Sequence, residues 1–197
     1  MDRLGIAGQC LDIKPLHPQF RLAGRAFTIL YGPSGKPSGT VGDYVDDVLP
    51  GQVAVLDNGG RANATVWGDI LTEIAHTKKI AGTVIDGACR DTYLSLTLGY
   101  PIFSRSFSMR TGKDRVQVEA MGGPVNIGDA RVNQGDLLRG DADGVVCLPK
   151  EHEDEILRIA EEIDAVEGNI RQAVRGGMSL IEARKKFGYH TLQTRTR

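Results

Sequence analysis

Two glycine-rich polar segments hold the residue types and spacing that could do chemistry. One is Asp57-Asn58-Gly59-Gly60, leading on to Gly68-Asp69-Ile70-Leu71; the other is Asp86-Gly87-Ala88-Cys89-Arg90-Asp91. Gly68 to Leu71 reads as the start of a helix. A first helical turn carries unpaired backbone N–H groups and the positive end of the peptide dipole, and a glycine there lets a ligand come close. A carboxylate fits such a place. The dipole contributes only ~0.3–1 kcal/mol when exposed, so a further cation is needed. Arg90 is the candidate, because a guanidinium grips a carboxylate through two parallel hydrogen bonds.

Asp91 adds a hard oxygen ligand. Mg²⁺ takes one or two carboxylates and completes its octahedron with water and substrate oxygens. An open, oxygen-rich site accepts Mn²⁺ as well. A 2-oxo acid offers two such oxygens, one from its carboxylate and one from its ketone. A cation at the ketone stabilises the charge that develops when the next bond breaks. Retro-aldol cleavage and decarboxylation of oxaloacetate share that requirement, since both pass through an enolate of pyruvate. The candidate set is Gly68, Asp69, Ile70, Leu71 and Arg90 for substrate, Arg90 and Asp69 for catalysis, and Asp91 for metal. The proton carrier stays open between Asp69 and a water held by arginine.

Each of these residues also has a plain structural reading. Arg90-Asp91 could be a turn with an exposed ion pair, and Asp69 a helix N-cap. Cys89 has no histidine near it in sequence to activate it, so it reads as a buried strand-end thiol. Trp67 reads as core. Asp43, Asp46 and Asp47 read as a solvated helix face, from which a carboxylate could reach a neighbouring subunit's site.

The elements that must position these residues follow from pattern. Ala26 to Leu30, Val53 to Leu56, Thr83 to Ile85 and Ile102-Phe103 read as strands. Asp57 to Gly60 and Asp86-Gly87 read as the turns that end two of them. Asp43 to Leu49, Gly68 to Ile80 and Thr92 to Leu98 read as helices. The resulting β-α-β-α-β series predicts parallel strands with right-handed crossovers, and ligands then bind beyond the carboxyl ends of the strands. Short apolar runs at Val116–Val118, Val125–Ile127 and Val145–Leu148 predict an antiparallel or mixed β layer. Pro149 opens a long helix with apolar residues at 156, 159, 160, 163, 166, 170, 173 and 174, which Gly176-Gly177 ends. Ser179 and Glu182 form a capping box for a second short helix, stopped at Gly188.

Several function classes are excluded by composition. The chain has 197 residues and a net charge of -1 with no basic stripe, so nucleic acid is not an expected ligand. No apolar run approaches the ~18 residues that span a bilayer. The opening MDRLGIAGQC lacks the charged and apolar regions of a signal peptide. Cys10, Cys89 and Cys147 are scattered and form no CxxC, which predicts a reducing, cytoplasmic setting without a zinc site. The stretch GPSGKPSGTVG contains Gly35-Lys36 but lacks the GxxxxGK[ST] spacing of a phosphate loop.

The run GDILTEIAHTKKIAGTVIDGACRD resembles the signature region of the RraA-like family, as do AGRAFT, PGQVAVLDNGG and GGPVNIGDARVNQGDLLRGDADGVVCLP. The likeness covers most of residues 20–150. That family includes 4-hydroxy-4-methyl-2-oxoglutarate aldolases and regulators of ribonuclease E activity. The resemblance implies an α/β fold of the β/β/α swivelling-domain kind seen in phosphohistidine domains. It implies a homotrimer or dimer of trimers; the helical pattern gives the rest, a catalytic domain over 1–150 and a C-terminal helical extension over 151–197 that packs on a neighbouring subunit. The resemblance implies class II chemistry on a small 2-oxo acid: Gly68 to Leu71 and Arg90 contact substrate, and Asp91 holds the divalent metal. An acidic residue of a neighbour's tail completes the site in the aldolases; Glu161, Glu162 and Glu167 are the candidates. The ribonuclease regulators lack the aspartate after the arginine, so Asp91 favours enzyme over the alternative, a non-catalytic regulator that binds ribonuclease E. The methyltransferase label carried by some relatives finds no glycine-rich methyl-donor motif here.

Overall fold

The computed structural model describes residues 1–192 and residue 194. It has two compact units: Gly8–Lys150, and Met1–Ala7 together with the chain from Glu151 onward.

In the first unit the strands are β1 (Gln9–Cys10), β2 (Lys14–Pro15), β3 (Leu22–Pro33) and β4 (Gln52–Trp67), followed by helix α1 (Asp69–Thr77). Strand β5 (Gly82–Cys89), helix α2 (Thr92–Leu98) and strand β6 (Ile102–Phe107) come next. The remaining strands are β7 (Val116–Met121), β8 (Val125–Ile127), β9 (Ala130–Val132), β10 (Leu137–Asp141) and β11 (Gly144–Leu148). One sheet runs in the order β1-β11-β10-β3-β4-β5-β6-β2, with β7 also on β3; β8 and β9 form a separate hairpin. The expected parallel series is present as β3, β4, β5 and β6, each parallel to the next. Every residue of β5 is buried, as a central parallel strand requires.

Strand alternation sends side chains to two cores. Ala54, Leu56 and Ile85 pack with Trp67, Ala75 and Tyr100 on one face, where Leu71 and Ile74 of α1 and Leu98 of α2 join them. Val53, Val55 and Val84 pack on the other with Phe103, Leu138 and the hairpin residues Val125, Ile127, Ala130 and Val132. The layers are therefore hairpin, sheet and helices. Two buried carboxylates fasten the hairpin: Asp57 accepts from the Asn126 amide at 2.9 Å, and Asp86 from the Gly128 amide at 2.7 Å. Arg105 donates to the other oxygen of Asp86 at 2.7 Å and to Asp12 at 3.1 Å.

Three expectations are corrected. The turn residues at Asp57 to Gly60 do not end β4. Gly59 and Gly60 bend the chain at φ 59° and 70°, and it then continues pairing with β5 as far as Trp67↔Cys89. Asp57 to Trp67 thereby faces only Asp86 to Cys89, through three register shifts. Strand β5 likewise runs past Asp86-Gly87, with a shift against β6 between Ile85 and Ala88. The helix expected over Asp43 to Leu49 is a single 3₁₀ turn, Asp43–Asp46. Lys78 takes the Val45 and Asp46 carbonyls at 3.0 and 2.6 Å, and the Leu49 amide donates to Gln52 Oε1, so a continuing helix has lost its partners.

In the second unit α3 (Glu153–Arg175) follows a 3₁₀ turn at Lys150–His152 rather than starting at Pro149. Its stripe is buried at Ile156, Ile159 and Ile170, while Val174 is exposed. Helix α4 (Leu180–Lys186) has the expected capping box between Ser179 and Glu182. No helix among the described residues is long and apolar enough to cross a membrane.

Candidate active site

The ends of β4 and β5 lie side by side, and the Arg90 amide donates to the Trp67 carbonyl at 2.9 Å. Gly68, which follows Trp67, is therefore set against Arg90 and Asp91, which follow Cys89. Gly68 is the N-cap of α1 in extended backbone, so Asp69 is the first helical residue rather than the cap. Asp69 Oδ1 instead accepts from the Ile70 amide at 2.8 Å. Thr72 donates to the Gly68 carbonyl through both its amide, at 3.0 Å, and its hydroxyl, at 2.9 Å. The same hydroxyl accepts from Trp67 Nε1 at 2.9 Å. This chain of bonds fixes the Trp67-Gly68 bend from inside the core, where Trp67 stacks on Tyr100 with rings 2° from parallel. Of the first-turn amides, Ile70 is occupied by Asp69; those of Asp69 and Leu71 remain for an anion.

Asp91 caps α2 in an unusual way. Its backbone is left-handed, φ 54° and ψ 40°, and its carboxylate makes no capping bond. A non-glycine residue held in that region costs of order 1–3 kcal/mol and persists where the surroundings impose it. The carboxylate turns to Arg90, whose Nε stands 3.4 Å from Asp91 Oδ2. Both side chains are 39 % exposed, so this pair adds little stability and leaves both groups open to a ligand. A Cβ built on Gly68 would stand 2.9 Å from Asp91 Oδ2 and 3.2 Å from Arg90 Nε. Only glycine leaves the carboxylate and the guanidinium where they are.

A cleft of about 560 Å³ opens here, within the range of small-molecule sites. Gly68, Asp69, Ile70, Leu71 and Arg90 all line it. Asp91 is not among the lining residues; it stands behind Gly68 at the margin. The opposite walls come from Gly39–Asp46 and from Thr111, Gly112 and Lys113. Sequence reasoning offered Asp43 and Asp46 only to a neighbouring subunit's site and missed the second wall, although the polar glycine-lysine turn at 112–113 is a signal that could have pointed to it.

Cys89 is buried beside the site, with its sulfur 3.6 Å from Ser104 Oγ. Burial pushes its thiol up from the ordinary range, which removes it as a nucleophile at neutral pH. Glu162 and Glu167 are engaged within their own unit, Glu162 with Arg3 and Arg158, Glu167 with Arg171. Glu161 is exposed on the same helix.

The donor chemistry decides which metal the site could take. Among the described residues no three His, Cys, Asp or Glu side chains converge as a ligand set. A zinc-type site of protein nitrogen and sulfur is therefore not what these residues build. Asp91 does fit a hydrated hard cation that draws one carboxylate from the protein and the rest of its shell from water and substrate. The missing side chain at Gly68 leaves room beside that carboxylate.

The family model RraA-like (Aldolase/RraA) matches residues 1–147. Protein DlpA of Legionella pneumophila is 36% identical over 193 residues, 96% of this chain; the chain spans only 31% of that protein's length. A putative 4-hydroxy-4-methyl-2-oxoglutarate aldolase of Halalkalibacterium halodurans is 32% identical over 183 residues, 91% of this chain and 84% of that one. The crystal structure of RraAS2 from Streptomyces coelicolor, an unusual member of the RNase ES inhibitor RraA protein family, superposes with a TM-score of 0.78. It is 26% identical, and the match covers 84% of this chain and 85% of that one.

Proposed function

The chain belongs to the RraA-like family, and from that premise we propose that it is a divalent-metal-dependent lyase releasing pyruvate from a 2-oxo acid. The substrates proposed are 4-hydroxy-4-methyl-2-oxoglutarate or a related 4-hydroxy-2-oxo acid, and oxaloacetate. The observation that carries the reading is Asp91: its backbone is left-handed, and its half-exposed carboxylate makes no capping bond but sits beside Arg90 over a side-chain-free Gly68. Left-handed backbone also occurs at Asp12, Lys79 and Asp114; at Asp91 it coincides with an uncapped carboxylate at the edge of the cleft, which supports a functional role.

In this proposal Arg90 and the free amides of Asp69 and Leu71 hold the substrate's 1-carboxylate. Asp91 would hold Mg²⁺ or Mn²⁺, which when bound supplies positive charge against the ketone oxygen as the neighbouring bond breaks. Asp69, exposed at the helix start, takes the proton of the 4-hydroxyl. The C3–C4 bond then breaks, the departing half leaves as a carbonyl compound, and a proton returned to C3 gives pyruvate. Oxaloacetate loses carbon dioxide from the same C3 position. Arg90 acts throughout by orienting the acid.

An assembly of three copies, or of two such trimers, belongs to the proposal, with the C-terminal helices packing on a neighbour. Exposed Ile70, Tyr93, Phe107 and Met109 support it, since large apolar side chains on the elements around the site are suited to burial between subunits.

The test is pyruvate release from both acids with Mg²⁺, with EDTA and with Asp91→Ala. Release above the metal-only background that needs both the cation and Asp91 is the expected result. No release and no Mg²⁺ binding by a folded protein would return the reading to a non-catalytic regulator.

A further inference from the structure

We propose that Lys113 binds the distal carboxylate of the substrate, so that the cleft selects dicarboxylic 2-oxo acids over monocarboxylic ones. The inference rests on the lyase reading for the kind of acid, but it concerns a wall of the cleft that the reading does not use.

Lys113 and Arg90 are the two cations that line the cleft, and they come from different segments. Arg90 already faces Asp91. Lys113 is exposed, and its ammonium has no hydrogen bond or ion pair with any described residue. Asp43 and Asp46 line the same cleft, and neither forms a salt bridge with it. A cation left without a partner at the rim of a small-molecule cleft attracts an anion.

The turn that carries Lys113 is built to hold one place. Thr65 of β4 donates to the Arg110 carbonyl through its amide at 3.1 Å and its hydroxyl at 2.9 Å. Thr65 and Thr111 form a parallel bridge. A Cβ on Gly112 would meet the Thr65 carbonyl at 2.2 Å, so the turn is pressed against β4 as closely as backbone allows. Arg115 donates to the Thr111 carbonyl at 3.0 Å and the Lys113 carbonyl at 3.4 Å. Asp114 closes the turn at φ 62°. Tight backbone under a free, flexible ammonium suits a monodentate contact with the far end of a ligand whose near end is fixed elsewhere. With the 1-carboxylate at Arg90 and the first turn of α1, the group left for Lys113 is the second carboxylate of a diacid.

The experiment separates this assignment from turnover. Calorimetric titration in Mg²⁺ buffer would compare 2-oxoglutarate, a diacid without the 4-hydroxyl needed for cleavage, with 2-oxobutyrate. The wild type is expected to bind 2-oxoglutarate at least ~10-fold tighter, consistent with a charge-assisted hydrogen bond. Lys113→Met should remove that advantage and Lys113→Arg should keep most of it. In turnover, Lys113→Met should raise KM for 4-hydroxy-4-methyl-2-oxoglutarate about 10-fold or more and change KM for 4-hydroxy-2-oxopentanoate far less. Equal losses on both acids, no loss, or no wild-type preference for the diacid would each overturn the proposal. A binding split without pyruvate release would sink the lyase reading and leave Lys113 standing; release without the split would do the reverse.

Discussion

The carboxylate of Asp91 and the hydrogen that stands for a side chain on Gly68 occupy adjoining space. A methyl on Gly68 would lie 2.9 Å from Asp91 Oδ2, closer than carbon and oxygen pack. Two strand ends that are twenty-odd residues apart in the chain thus share one constraint, and both sides of it can be tested.

Gly68→Ala places that methyl without straining the backbone, because Gly68 is extended at φ -144°. The variant is expected to fold and melt like the wild type. Pyruvate kcat/KM should fall about 100-fold, the cost of displacing an aligned group by about an ångström. Unchanged turnover would show that Asp91 need not keep its place.

Asp91→Gly relieves the left-handed backbone while deleting the carboxylate. Stability should rise by about 1 kcal/mol, seen as a Tm higher by roughly 2–4 °C. Mg²⁺ binding and pyruvate release should be lost together. Asp91→Asn, tolerant of the same backbone, should lose both without the gain in Tm. A destabilised Asp91→Gly would mean that the carboxylate supports the fold.

Thr72→Val removes the hydroxyl between Trp67 Nε1 and the Gly68 carbonyl. It leaves the buried indole N–H without a partner, so urea unfolding should show a loss of ~1–3 kcal/mol. KM should rise because only the Thr72 amide then holds the Gly68 carbonyl. Thr72→Ser, which restores the hydroxyl, should recover most of both. A valine variant with wild-type KM would show that the bend is set by packing alone.

Alkaline stability should fall in a defined window. Burial, and secondarily the charge of Asp86, push the Cys10 thiol from an ordinary 9.0 up to about 12. Between those values the unfolded chain has lost a proton that the folded chain keeps. Stability therefore drops as pH rises, by on the order of 1.4 kcal/mol per pH unit for this group, and the contribution is fully present below pH 9. Cys10→Ala should flatten the fall in denaturant midpoint over that window. An identical slope in both proteins would rule out Cys10 as a source.

The parts of this protein legible in its sequence are those set by local pattern. The apolar cores of β4 and β5, the helix after Gly68 and the capping box at Ser179 all follow from neighbours in the chain. The pairing of Gly68 with Arg90 followed from strand adjacency. What escaped depended on long-range contacts. Asp57 to Gly60 has the composition of a turn and is one, but the strand goes on because Trp67 finds its partners in Thr72 and Tyr100. The 3₁₀ turn at Asp43 is cut short by Lys78, over thirty residues away. The Lys113 wall is bonded to β4 at Thr65, a long-range contact that no local spacing announces.

The fastening of the hairpin has one more consequence. Asp57 and Asp86 reach through to the layer away from the cleft and hold β8–β9 by the Asn126 and Gly128 amides. Those carboxylates recognise backbone, so they read no side chain of the hairpin they hold. The hairpin is in effect an exchangeable part, so long as a glycine stands at 128, where φ is 56° and a Cβ would lie 2.6 Å from the Leu11 carbonyl: another two-strand connector presenting two amides at that spacing and an apolar underside could be grafted in its place. The hairpin packs in the apolar cluster that holds Val53, Val55 and Val84, whereas Trp67 and Leu71 beside the cleft pack in the other, so the graft would be made on the face of the sheet away from the site.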